Sequence, residues 1–111
     1  MTNPKFQIFQ TKQSHQYYCR LCSINGEIIL VSEGYDSKQS CQSGILAVKA
    51  NALIPDRYKR SNAAINYLFN LEAPNGEIIG RSESYITAAK RESGIRAVML
   101  DAPRASTEDL T

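Results

Sequence analysis

One register constrains this chain more than anything else in it: a stretch that returns after fifty residues. Asn25-Gly26-Glu27-Ile28-Ile29 is followed by Ser32-Glu33, Tyr35, Ser43-Gly44-Ile45, Ala47 and Val48. The same pattern recurs as Asn75-Gly76-Glu77-Ile78-Ile79, Ser82-Glu83, Tyr85, Ser93-Gly94-Ile95, Ala97 and Val98. Aligned without a gap, 17–50 and 67–100 share 15 identical positions out of 34. Self-similarity at one fixed offset marks the duplication of one supersecondary unit. The copies fall at about 5–54 and 56–110. With 111 residues in all, they are expected to share one core within a single domain.

The repeat also sorts faces. Residues 17–24 alternate, and Tyr17, Cys19, Leu21 and Ser23 have the apolar counterparts Tyr67, Phe69, Leu71 and Ala73. That set is expected on the core side. The other side carries Tyr18 and Arg20 in one copy and Leu68 and Asn70 in the next, and is expected to stay open. Asn25-Gly26 and Asn75-Gly76 predict hairpins with type I′ turns, leading into strands at 27–32 and 77–82. Leu30 against Gly80 and Val31 against Arg81 leave the buried face of these strands open. Phe6–Gln10 adds a first strand.

Ser37 and Thr87 are suitable helix N-caps, with Cys41, Ile45 and Val48, or Ile95 and Val98, at helical spacing behind them. Gly44 and Gly94 predict a kink or a close backbone approach, with Ser43 and Ser93 available to recap a second short turn. Pro55 ends the first helical region, and short strands are expected at 57–61 and 107–110. Each copy thus reads β-β-β-α with a further strand. The class is α+β, an antiparallel sheet with two helices on one face.

With these residues in place, the chain resembles the YegP-like family, small bacterial proteins of unknown function. The N-G-E-I-I hairpin, S-E-x-Y and S-G-I-x-A-V segments carry the resemblance, in both copies. It implies tandem β3-α-β units that build one shared sheet and exchange their C-terminal strands. It implies no catalytic or binding residues.

Composition narrows function by exclusion. The formal net charge of +2 demands no polyanionic partner, and 42% hydrophobic with 22% charged residues is ordinary globular usage. Three cysteines at irregular spacing and an N-terminus without an apolar leader core point to the cytoplasm. Cys19 and Cys22 match C-x-x-C, but residues three apart on a strand face opposite ways, so no metal is expected, with Cys19 buried and Cys22 outward. His15, the single histidine, lies in a polar loop without a nucleophile near it.

Ser32, Glu33 and Tyr35, with Ser82, Glu83 and Tyr85, have two readings. Pseudo-symmetry could pair Glu33 with Glu83 for acid–base work. The simpler reading has them serving the entry to each helix. Arg57, Lys59 and Arg60, with Lys90, Arg91 and Arg96, form two basic clusters that Tyr58 could extend into a single-strand nucleic-acid surface. No cofactor-binding or nucleophile motif is present. The leading expectation is a monomeric, non-enzymatic binding module, partner unknown, using Tyr18, Arg20, Leu68 and Asn70. Weak nucleic-acid binding is the alternative, and an enzyme the third.

Overall fold

Side-chain alternation, two turns and two capped helices account for most of the architecture. A computed structural model describes residues 3–63 and 66–111. Met1 and Thr2, where the reading of the N-terminus begins, lie outside the described residues. Strands β1 (Lys5–Gln10), β2 (Tyr17–Cys22) and β3 (Ile28–Val31) precede helix α1 (Lys38–Asn51). Then follow β4 (Tyr58–Ala63), β5 (Asn66–Glu72), β6 (Ile78–Arg81), helix α2 (Ala88–Asp101) and β7 (Ser106–Asp109). The seven strands form one sheet in the order β4-β5-β6-β3-β2-β1-β7.

Period-two burial selects the core face. Phe6, Ile8, Cys19, Leu21, Phe69 and Leu71 are buried against Cys41, Ile45 and Val48 of α1 and Ile95 and Val98 of α2. Tyr17 and Tyr67 pack partly buried on the same cluster. Both helices therefore cover one face, and the fold is α+β as expected.

Each hairpin turn differs from the expected type. Gly26 and Gly76 have positive φ, at 86° and 87°, but Asn25 and Asn75 do not. Gly26 N–H donates to the Ser23 carbonyl at 2.9 Å, and Ser23 N–H to the Glu27 carbonyl at 2.9 Å. That is a type I turn closed by a left-handed glycine, the three-residue hairpin loop. Asn25 serves it through Oδ1, which accepts from the Glu27 N–H at 3.0 Å. Pro74, where the first copy has Ile24, sits at the first central position, which its fixed φ suits.

A bulge resolves the third strand. Leu21 pairs with Leu30 but Cys22 with Ile28, leaving Ile29 as the extra residue. Ile79 is extra in the same way between Leu71–Gly80 and Glu72–Ile78. A bulge lets neighbouring residues lean to one side, so Ile29 and Leu30 both enter the core. At the centre β3 and β6 pair antiparallel through Val31 and Arg81, equivalent positions of the two copies. A pseudo-two-fold axis must therefore pass beside that pair. Leu30 reaches across the axis: a Cβ on Gly80 would lie 2.6 Å from its Cγ. There is room for one large side chain there and not for two.

Ser37 and Thr87 cap the helices as expected, each hydroxyl accepting at 3.0 Å from the N–H three residues on. Neither helix is interrupted at its glycine, so no second cap forms at Ser43 or Ser93. Close approach is the reason for the glycines. A Cβ on Gly44 would lie 2.8 Å from Tyr35 Cζ, and one on Gly94 2.6 Å from Tyr85 Cζ. The S-E-x-Y and S-G-I motifs are thus two halves of one contact.

The strands that follow the helices cross over. Beyond α1, β4 pairs with β5 of the second copy; beyond α2, β7 pairs with β1 of the first. The exchange that the resemblance implies is present in β7, which joins the first copy. β4 doubles as the first strand of the second copy, which gives an odd strand count. β7 runs parallel to β1, so the sheet is mixed rather than wholly antiparallel. A helical crossover permits that direction where a tight hairpin would not.

Candidate functional site

The uncovered face of the sheet is built by the residues that alternate away from the core. Phe9 stacks on Tyr18, ring centroids 5.5 Å apart, and the Arg20 guanidinium lies 4.6 Å above the Phe9 ring. Gln7 anchors that arginine, accepting from Nε at 2.9 Å, and donates to Glu108 at 2.8 Å. Tyr18, Arg20, Leu68 and Asn70 are all half-exposed here. The cross-strand pairs Phe9–Tyr18 and Lys59–Asn70 set the register. Cys22 belongs to this face yet is buried beneath its neighbours, its Sγ 3.4 Å from Gln7 Oε1.

Cys19 and Cys22 thus sit on opposite faces, and one ion cannot reach both. Burial raises the thiol pKa of each and pushes Cys41 up to about 12, with Cys19 beside it adding to the effect. Protonated thiols are poor nucleophiles and poor ligands. His15 is exposed in the β1–β2 loop.

The repeat-motif residues close strands rather than helices. Ser32 Oγ accepts from the Cys19 N–H at 2.9 Å and donates to the Glu33 carbonyl at 2.8 Å. Ser82 repeats this with the Phe69 N–H and the Glu83 carbonyl. Tyr35 and Tyr85 form backbone bridges to Tyr17 and Tyr67 before their rings cross to the helix glycines.

The carboxylates do not pair as copies of each other. Arg81 holds Glu33 at 2.7 Å. At the equivalent place beside Glu83 the chain has Val31, which offers no charge, and Glu83 adjoins Glu27 of the first hairpin instead. Desolvation first, and the Glu27 carboxylate second, raise the Glu83 pKa. Sequence reasoning missed Glu27 because its motif serves the turn; the one available signal was the exchange of Arg81 for Val31.

Glu27 and Glu83 border a cleft of about 510 Å³ between the first hairpin and α2. Ile29, Tyr85, Ile86 and Ala97 supply apolar lining, and Lys90 stands on the α2 side. Burial, then the Glu83 and Glu27 charges, push the Tyr85 phenol up to about 12, which keeps it a donor. Among the described residues that line it, the titratable groups are Glu27, Glu83, Tyr85 and Lys90.

The two basic clusters meet at Glu92, which pairs with one arginine from each. Arg60 makes a bidentate contact to Glu92, with Nη2 at 2.8 Å, and Arg91 Nε lies 3.1 Å from the same carboxylate. Their pull lowers the Glu92 pKa, Arg60 contributing most. Arg57 donates to Asn51 at 3.0 Å and Arg96 to Ser93 at 3.0 Å, while Lys59 and Lys90 are exposed. Tyr58 offers no ring for base stacking: it is 4% exposed, and its hydroxyl donates to the Ala52 carbonyl at 2.7 Å.

The domain of unknown function DUF1508 matches twice, over residues 13–58 and 62–109. A UPF0339 protein from the 5′ region of the ptx operon of Stutzerimonas stutzeri is 41% identical over 69 residues. That match covers 61% of each chain. UPF0339 protein YegP of Escherichia coli O157:H7 is 38% identical over 69 residues, covering 61% of this chain and 62% of that one. The matched span is thus about three fifths of the length of these curated relatives. Solution structures agree over the whole chain. A UPF0339 protein of Shewanella oneidensis superposes with a TM-score of 0.91 at 35% identity, covering 100% of this chain and 93% of that one. YegP of Escherichia coli superposes at 0.90 and 36% identity, covering 100% and 96%. The chain belongs to the YegP-like DUF1508 family and carries two copies of its domain.

Proposed function

We propose that the protein is a non-enzymatic binding module of the cytoplasm, monomeric, which takes its partner on the open sheet face around Tyr18, Arg20, Leu68 and Asn70. The observation that carries this reading is the one-sided fold. Both helices cover the core face, while the other presents half-exposed apolar and cationic side chains held by stacking and hydrogen bonds. Rings and an arginine fixed in advance lose little freedom on binding, which favours their use as anchors. Three buried free thiols fit a reducing compartment. Among the described residues no helix is long and apolar enough to cross a membrane.

The pairing of Arg60 and Arg91 with Glu92 favours this face over phosphate contacts. Capture of partners from native cytoplasm, followed by amide-shift titration with the captured species, tests the proposal. Shifts at Tyr18, Arg20, Leu68 and Asn70, with capture weakened by Arg20→Ala, support it. Shifts confined to Arg57–Arg60 and Lys90–Arg96 that vanish as salt rises would replace it with nucleic-acid binding.

A further inference from the structure

At the cleft between the first hairpin and α2 the two copies keep most of the lining and differ at Ser23, Ser84, Ile86 and Lys90. We propose that this cleft binds a small zwitterion with an aliphatic body, of the free amino-acid class, its ammonium held between Glu27 and Glu83 and its carboxylate by Lys90.

Size and lining come first. A cleft of about 510 Å³ lies within the range of small-molecule sites, and its walls come from both copies. Ile29, Ile86, Ala97 and the Tyr85 ring give an aliphatic chain a surface to cover. Such sites join an apolar lining to a few placed polar groups.

The charges are arranged as two poles. Glu27 and Glu83 adjoin each other, and among the described residues neither makes an ion pair. Adjacent carboxylates without a counter-charge favour a cation between them, and an ammonium supplies several donors at once. A divalent ion would want more oxygen ligands, and no group of three or more ligating side chains occurs among the described residues. Lys90 makes no ion pair either among the described residues, and stands in the first turn of α2, where the helix dipole also favours an anion.

The other copy is the internal comparison. Ser84, Ile86 and Lys90 there become Gly34, Asp36 and Ser40. Its Glu33 is already neutralised by Arg81. The pseudo-symmetric position thus lacks the cationic pole and the bare carboxylate pair. Fold maintenance does not require this difference, since both copies keep the same Tyr–Gly contact and the same turn.

Titration of the full chain with L-leucine, isopentylamine and isovalerate, followed by amide shifts, tests the proposal. Leucine should move the amides of Glu27, Glu83, Tyr85, Ile86 and Lys90 saturably, and each half-probe should bind at least about tenfold more weakly. The double variant Glu27→Gln, Glu83→Gln and the variant Lys90→Met should each weaken leucine by about tenfold or more while the remaining amide spectrum stays in place. Absence of saturable leucine shifts overturns the proposal. So do equal affinities for leucine and isopentylamine, leucine binding that neither variant alters, or shifts at Tyr18, Arg20, Leu68 and Asn70 instead. The last result would leave the sheet-face reading standing and remove this one.

Discussion

Tyr35 over Gly44 and Tyr85 over Gly94 show how a motif scattered along the chain becomes one contact. A methyl at either glycine must displace a ring already packed on the core. Overpacking of this kind costs about 1–3 kcal/mol. Gly44→Ala and Gly94→Ala should therefore each lower the urea midpoint. The cost of Gly94→Ala should shrink in a Tyr85→Val background, since contacting sites are not additive. Glu83 gives a prediction of the other sign. Its folded pKa is raised, so the folded state disfavours the carboxylate, and stability falls as pH rises through that value. Glu83→Gln should raise the melting temperature at pH 7 and raise it less at pH 4. Gly44 and Gly94 were legible as sites where a side chain is excluded, because they recur in one register. The rings that exclude it were not, since nothing local in the sequence says that Tyr35 and Tyr85 turn toward the helix.

Elements were legible where periodicity is strong and obscure where it breaks. The alternation at 17–24 and 67–72 identified the core face directly, and Ser37 and Thr87 marked the helix starts. The third strands resisted because a bulge adds a residue and cancels the period-two rule. Leu30 against Gly80 left the buried face of these strands open in the sequence, and the two are complementary halves of the packing at the axis. Leu30→Ala should cost about 2–5 kcal/mol by opening a cavity. Gly80→Leu alone should clash, and Leu30→Gly combined with Gly80→Leu should recover much of the loss, as read from chemical denaturation. The parallel direction of β7 was also hidden, because four residues at an edge carry little pattern. Lys38 holds Asp109 at 2.9 Å, and hydrogen bonds from Thr111 and Lys38 lower the Asp109 pKa to about 2. A lowered folded pKa gives stability that is present above the ordinary carboxylate range and lost as pH falls toward that value. The protection of β7 amides against exchange, relative to their intrinsic rates, should therefore fall as pH drops from the ordinary carboxylate range toward about 2, and Asp109→Asn should lower that protection at neutral pH.

On the scale of the molecule, one buried cluster draws on both copies, which are therefore expected to depend on each other for stability. The central ladder pairs a single equivalent position, Val31 with Arg81, so it holds the halves together by little on its own. The exchanged strands and the helices do the rest: α1 packs on β5 and β6 as well as on β1 and β2, and α2 packs on β3. A lone copy of about 50 residues would bury too little surface for comfortable stability. A fragment covering Met1–Ser61 keeps β1, β2, β3, α1 and most of β4, and loses the β5 that β4 pairs with and the β7 that covers β1. In a homodimer the β4 segment of each chain could take the β7 place beside its partner's β1. Sedimentation of that fragment across a range of concentrations, read beside its circular dichroism, is the most direct measurement. The account predicts an unfolded chain or a folded homodimer whose mass falls on dilution together with its structure. A well-folded monomer at every concentration would contradict it.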